Sequence, residues 1–166
     1  MDEGGVAPVN FMWHLIWDYK EVLLKGLITA INVSIWALII SMVVGMLFAL
    51  ARMSHFKIVA GFATAYVNIF RGIPALVSVI WVYFGWSLLF GKNFTVYQAG
   101  VIALTLLYSA FFSEIFRSAL QAIHKGQREA GMALGMTRIR IFRSIIMPQG
   151  LKIAIPNIGS MYIGMI

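Results

Sequence analysis

The sequence predicts an all-α protein: a polytopic transmembrane helical bundle, one domain over residues 1–166, with a long charged loop on its cytoplasmic side. Three observations carry this prediction. Of the residues, 61% are hydrophobic and only 11% charged, with a mean hydropathy of +0.87; a soluble domain carries about 25% charged residues. The apolar residues come in long uninterrupted runs. The charges sit at the ends of those runs. Up to Lys25 there are four acids and two lysines, and after it eleven Lys/Arg against two acids, Glu114 and Glu129. Basic residues beside apolar runs mark the cytoplasmic face. The net charge of +7 therefore reports topology, and no nucleic-acid partner is expected. The absence of cysteine excludes disulfides, thiolate nucleophiles and Cys-ligated zinc.

The first span is predicted over residues 26–51, a stretch of 26 residues without a charge. Arg52, His55 and Lys57 follow it, so its end is cytoplasmic and residues 1–25 lie outside. Ala49-Leu50-Ala51 mimics a cleavage site, but the run is too long for a signal segment and its N-terminal flank is acidic. Residues 58–70 form a run of 13, too short to span. They are expected to form an interfacial or half helix over about 57–70. Gly72 and Pro74 break the helix there, since proline disfavours a helical residue before it. A second span then runs over 73–91. A third occupies 98–117, and its helix is expected to continue to about His124.

Seven basic residues between Arg117 and Lys152 keep the loop 118–148 inside. Gly126 suits the position after a helix end. Gln127 to Leu134 form a short helix with Glu129 in its first turn, where a carboxylate favours the dipole. Ala130, Gly131, Ala133 and Leu134 share one small flat face; Arg128, Glu129 and Met132 take the other. Gly135 ends the helix. Thr137 caps a third helix over 138–147, with Ile139, Phe142, Ile145 and Ile146 on one arc and Arg140 and Arg143 opposite. Pro148 closes the unit. The two-turn helix is too short to be stable alone in water and must dock on something.

The last span covers about 150–166. Fourteen residues after Lys152 rise about 21 Å, short of a core of ~30 Å, so the sequence is expected to be truncated inside this span. Pro156, Asn157, Gly159 and Ser160 interrupt it; such broken helices line transport pathways, or form a kink packed in the bundle. Asn157 and Ser160 are pathway candidates on that basis. Glu114 is the only acid near a span interior. It lies one turn from Arg117, which leaves an ion pair and a role in gating or substrate passage both open. Ser41, Gly45 and Ala49 form a small-residue stripe suited to close helix packing, within one subunit or between subunits. His14, His55 and His124 fall at span boundaries as interfacial side chains.

The order of residues in the loop adds a resemblance. Glu129-Ala130-Gly131 is followed by three residues and Gly135, then nine residues, Ile145, one residue, and Met147-Pro148. This resembles the cytoplasmic motif of membrane permease subunits of bacterial ABC importers, of the polar amino-acid uptake (histidine, glutamine, arginine and opine) type. Gly131 stands where the motif has alanine, and Met147 where it has leucine. Tyr66 to Trp86 is similar to the family's segment around an Arg-Gly-Thr-Pro tetrad, with Ile73 for threonine. Ser113 to Arg117 and His124 to Gln127 are similar to its lead into the motif. Members of the family usually continue with a Lys-Asp-Thr-Ser-Leu-like stretch and one further span, so the resemblance implies that the sequence is C-terminally truncated relative to the family.

The resemblance implies a coupling helix that sits in a groove of a cytoplasmic ATPase, with Gly126, Arg128, Glu129, Ala130, Gly131, Gly135 and Pro148 as ATPase-coupling residues. It implies a second permease subunit, identical or not, and an extracytoplasmic binding protein that delivers a polar amino acid. It places the protein in the bacterial inner membrane, surrounded by lipid. The sequence has no phosphate-binding loop of the Gly-x4-Gly-Lys-Ser/Thr type. It shows no catalytic constellation, and no cofactor is expected in it; ATP with its magnesium is expected on the partner ATPase. A channel or secondary carrier, or a membrane assembly protein, are the competing readings; the motif loop separates them from the first.

The cysteine-free sequence permits a direct test of orientation. Cysteine introduced by Asn10→Cys is expected to react with a membrane-impermeant maleimide on intact spheroplasts, and Arg140→Cys only after lysis. The reverse pattern would overturn the topology.

Overall fold

The structure is a computed structural model and describes residues 12–91 and 93–165. The first part of the predicted external segment, residues 1–11, lies outside the described residues. Every element among the described residues is helical: α1 (His14–Asp18), α2 (Lys20–Arg52), α3 (Lys57–Arg71), α4 (Ala75–Phe90), α5 (Val96–Gln121), α6 (Lys125–Ala133) and α7 (residues 138–163). Two of them, α2 and α5, are long and apolar enough to cross a membrane.

α5 is the axis of the bundle. Its N-terminus is fixed by a capping box: Thr95 Oγ1 accepts from the Gln98 N–H, and Gln98 Oε1 accepts from the Thr95 N–H. α2 lies along it through residues that are all small. Ser34, Ala37, Ser41, Gly45 and Ala49 are the buried residues of α2. The stripe predicted at Ser41, Gly45 and Ala49 therefore serves packing inside the subunit. At Gly45 the approach is closest. A Cβ there would lie 2.6 Å from Phe112 Cβ and 2.9 Å from the Ser109 carbonyl oxygen. The buried hydroxyls of Ser34 and Ser41 donate to the carbonyls of Ile31 and Leu38, one turn back in the same helix. Small polar residues thus stay satisfied in an apolar contact.

The predicted break at residues 71–74 is present. α3 and α4 meet at 107°. α3 is fixed from its middle and its end. The Tyr66 hydroxyl donates to the Leu106 carbonyl at 2.9 Å and lies 2.8 Å from Ser109 Oγ, and the Tyr66 ring stacks on Phe48 at 4.1 Å. Its last residue, Arg71, comes within 3.8 Å of the carboxylate that Arg52, the last residue of α2, also holds. The far end of α3 therefore returns to the level at which α2 ends, and α3 runs across α2 and α5 instead of climbing beside them. α4 then leaves at the elbow. A π turn at Trp81–Gly85 lets the Trp81 ring lie on Gly85, where a Cβ would meet its Cε3 at 2.6 Å.

Two expectations about proline are corrected. Pro148 does not close a unit, and Pro156 does not break the last span. Helix continues from Arg138 through a π turn at Phe142–Ile146 and on through Met147–Ile163. Proline cannot donate the N–H of an α turn. At Pro148 the preceding π turn has already changed the bonding register, with the Met147 N–H reaching Phe142. The same wider turn shifts the apolar face. Ile141 and Ile146, five residues apart, are buried, and Ile139 from the predicted arc is exposed.

The contact at Gly45 makes a paired prediction. Gly45→Ala should destabilise the solubilised protein by about 1–3 kcal/mol through overpacking. Gly26→Ala, in open space on the same helix, should be neutral or stabilising by up to about 1 kcal/mol. Thermal unfolding in detergent reads both; equal melting temperatures for the two variants would contradict the packing.

Candidate functional site

The charged loop folds into a short helix held at both ends. His124 Nδ1 accepts from the Gly126 N–H at 3.1 Å and so caps α6. Gly126 is therefore inside the first turn of α6, not after the end of α5, which stops at Gln121 with Ala122 as its cap. Glycine is a stop signal in the sequence; a side-chain cap two residues earlier overrides it. At the other end Gly135 adopts φ +73°. Its N–H bonds the Met132 carbonyl at 2.9 Å, and the Met136 N–H bonds that of Gly131 at 3.0 Å. That pair of bonds is a Schellman turn, which glycine permits. Thr137 Oγ1 then accepts from the Arg140 N–H at 3.4 Å and starts α7, as predicted.

These caps fold α6 back onto α7. Gly131 is the buried residue of α6, and a Cβ on it would lie 2.7 Å from Ile141 Cγ1. The predicted small face is thus divided. Gly131 packs on the subunit's own Ile141, and Arg128, Glu129, Ala130, Ala133 and Leu134 remain exposed. Leu134 is 80% exposed. Pro148 follows soon after the buried Ile146 and lies on the exposed side of α7. A cleft of about 380 Å³ opens next to α6, lined by Arg128, Met132, Arg138, His55 and Phe142 over Ile141.

Glu114 occupies a second site, where α2, α3 and α5 converge. Arg52 Nη1 donates to Glu114 Oε2 at 2.6 Å, and Arg117 Nη2 donates to Oε1. Arg71 approaches Oε2 at 3.8 Å, with its guanidinium 5.6 Å from the centre of the Phe111 ring. Arg117 Nη1 also donates to Gln121 Oε1 at 2.7 Å. One-turn spacing in the sequence identifies the Arg117 partner. Arg52 and Arg71 read there as boundary charges, and nothing local marks their convergence on Glu114.

Asn157 and Ser160 are both exposed on α7, and neither bonds Glu114 or lines the cleft beside α6. The structure does not bring these three pathway candidates together. Among the described residues no group of three His, Asp or Glu could hold a metal ion.

Residues 41–166 match the family described as binding-protein-dependent transport system inner membrane component. The protein belongs to that family. This permease is 32% identical over 93% of its length to the "Probable amino-acid permease protein YxeN" of Bacillus subtilis, covering 70% of that protein. It is 35% identical over 89% of its length to the glutamate/aspartate import permease protein GltK of Escherichia coli, covering 69% of it. Its fold matches a crystal structure described as an amino acid ABC transporter with histidines, with a TM-score of 0.84 and 34% identity, over 93% of this permease and 72% of that one. The MetNI methionine ABC transporter shares the fold at a TM-score of 0.66 and 23% identity.

The permease's α6 depends on one left-handed residue. Gly135→Ala forces a Cβ into positive φ at a cost of roughly 1–2 kcal/mol. Amide exchange across Lys125–Ala133 should accelerate about tenfold, which is what a cost of that size produces in a local opening equilibrium. Unchanged exchange in α6 would show that the Schellman turn does not hold it.

Proposed function

We propose that this protein is the permease subunit of an ATP-driven importer that moves a polar amino acid across the bacterial inner membrane by alternating access. The loop from Glu129 to Pro148 couples it to cytoplasmic ATPase subunits. The observation that carries the reading is α6 itself: a nine-residue helix, capped at both ends, held at one buried residue, Gly131, with Arg128, Glu129 and Ala130 exposed. A helix of that length needs tertiary support, and its own subunit supplies it at Gly131, at the half-buried Gly126 and through the Gln149–Gln127 side-chain hydrogen bond at 3.5 Å. The exposed Arg128, Glu129, Ala130 and Leu134 are then the surface for the ATPase. Gly126, Gly131, Gly135 and Pro148 shape the unit from within.

The amino-acid assignment is supported by the names of the relatives YxeN and GltK and of the structural neighbour. ATP chemistry belongs to the ATPase partner, a second permease subunit completes the membrane pathway, and an extracytoplasmic binding protein delivers the cargo. Asn157 and Ser160 are pathway candidates on the exposed face of α7. The N-terminus lies outside.

The test is co-purification of the full-length permease with its ATPase and reconstitution into liposomes. Glu129→Lys reverses a charge on the exposed face and is expected to lower cargo-stimulated ATP hydrolysis and uptake at least tenfold, with the permease still folded. If hydrolysis and uptake survive both Glu129→Lys and Leu134→Asp, the coupling surface is elsewhere.

A further inference from the structure

The Glu114 cluster has a charge imbalance that the transport reading does not use. Three guanidinium groups, Arg52, Arg71 and Arg117, face one carboxylate. Two positive charges are left over, and no second acid among the described residues comes within ion-pair distance of the cluster. Acceptors are short as well. Arg117 Nε is buried without a hydrogen-bond partner. Arg71 is the accessible member, with its side chain 41% exposed against 12% for Arg52. It makes only the 3.8 Å approach to Glu114 and the contact on the Phe111 ring. The ring holds the guanidinium from one side and leaves its N–H edge free to a bidentate acceptor. Carboxylates and phosphates accept in that geometry.

The surroundings choose between those acceptors. Arg52 ends the apolar span of α2 on its basic side, which the positive-inside rule sets at the cytoplasmic headgroups, and Arg71 shares its level. Leading up to Arg71, α3 carries an exposed apolar stripe, Ile58, Phe62, Ala65 and Ile69, spaced by four, three and four residues on one face. Lys57 and Arg71 stand at the two ends of the helix, turned away from that stripe. A helix with an apolar face and basic ends suits the plane of a membrane interface. At that level the anion at hand is a lipid headgroup, and the apolar face of α3 keeps the helix there.

We propose that Arg71, backed by Arg52 and Arg117, binds the phosphate of an anionic phospholipid of the cytoplasmic leaflet. Basic pockets between spans on the cytoplasmic side are suited to such headgroups. The lipid supplies the missing acceptors, and it fixes the α3–α4 elbow against α5 without adding a side chain.

Native mass spectrometry of the full-length permease with its ATPases, released from mixed phosphatidylglycerol and phosphatidylcholine micelles, reads the site directly. The wild type should retain phosphatidylglycerol preferentially. Arg71→Gln should lower that retention about fivefold, the effect of one basic group at an anionic surface. Arg71→Lys, which keeps the charge, should fall between the two, and Lys20→Gln, at the opposite end of α2, should match the wild type. Near-ultraviolet circular dichroism checks that each variant is folded. Equal phosphatidylglycerol retention in wild type, Arg71→Gln and Arg71→Lys overturns the proposal. So does displacement of the lipid by millimolar inorganic phosphate, which would mark a free-anion site, or by the transported amino acid, which would mark a cargo site. Because the readout is lipid retention, it can fail with coupling intact, and coupling can fail with the lipid still bound.

Discussion

The close approach of α2 to α5 is the constraint on which the rest of the molecule depends. With lipid as solvent there is little hydrophobic drive between spans, and packing has to supply the association. Gly45 supplies it by having no side chain where Phe112 and the Ser109 backbone come nearest. Ser34, Ala37, Ser41 and Ala49 extend the same seam above and below. Once α2 and α5 are in register along that seam, the end of α2 is fixed beside Glu114, and Arg52 reaches it at 2.6 Å. The ion pair is a consequence of the packing before it is a contributor to it.

From that carboxylate the next decision follows. Arg71 can approach Glu114 only if α3 turns across the bundle, and the 107° elbow after it is how α4 recovers an independent direction. Tyr66 holds α3 to α5 at Leu106 and Ser109, about two turns of α5 before Glu114. A single acid thus gathers the ends of two helices, α2 and α3, against α5, and its surroundings are crowded with cations. A charge so placed is costly to leave unpaired, and the surrounding helices over-supply the opposite sign.

Much of this is legible in the sequence where the signal is local. Charge-free runs mark α2 and α5, Pro74 and Gly72 mark the elbow, and Thr137 and Gly135 mark the caps that turn α6 back. The departures share a cause. Gly126, Pro148 and Pro156 each have a strong local preference for ending a helix, and in each case helix is found at that position. His124 caps from two residues away, and a π turn changes the bonding pattern before Pro148 is reached. Ile141 escapes the apolar arc for the same reason, since a period of 3.6 residues cannot place it on one face with Ile146. The convergence of Arg52 and Arg71 depends on residues 62 and 43 positions from Glu114 in sequence, which no local pattern encodes. Thr95 and Gln98 are the opposite case, a capping box written plainly in the sequence that hydropathy alone does not reveal.

The continuity of α7 ties the charged loop to the core of the bundle. Had Pro148 ended the unit, α6 would rest on a separate piece of chain. Instead α6 bears on α7 through Gly131 and Ile141, and α7 bears on α5 through Gly150, where a Cβ would lie 2.7 Å from Leu120 Cδ2. At its far end the Gly164 carbonyl accepts from the Tyr108 hydroxyl at 2.8 Å. Between those points the buried Ala154 and the partly buried Ile158 and Met161 pack into the same core, so α7 is fastened to the bundle along its length. Pro148 and Pro156 each withhold one N–H from the helix without ending it. The glycine at 150 matters because it lets α7 and α5 approach closely, and the glycine at 131 because it lets the short helix rest directly on Ile141.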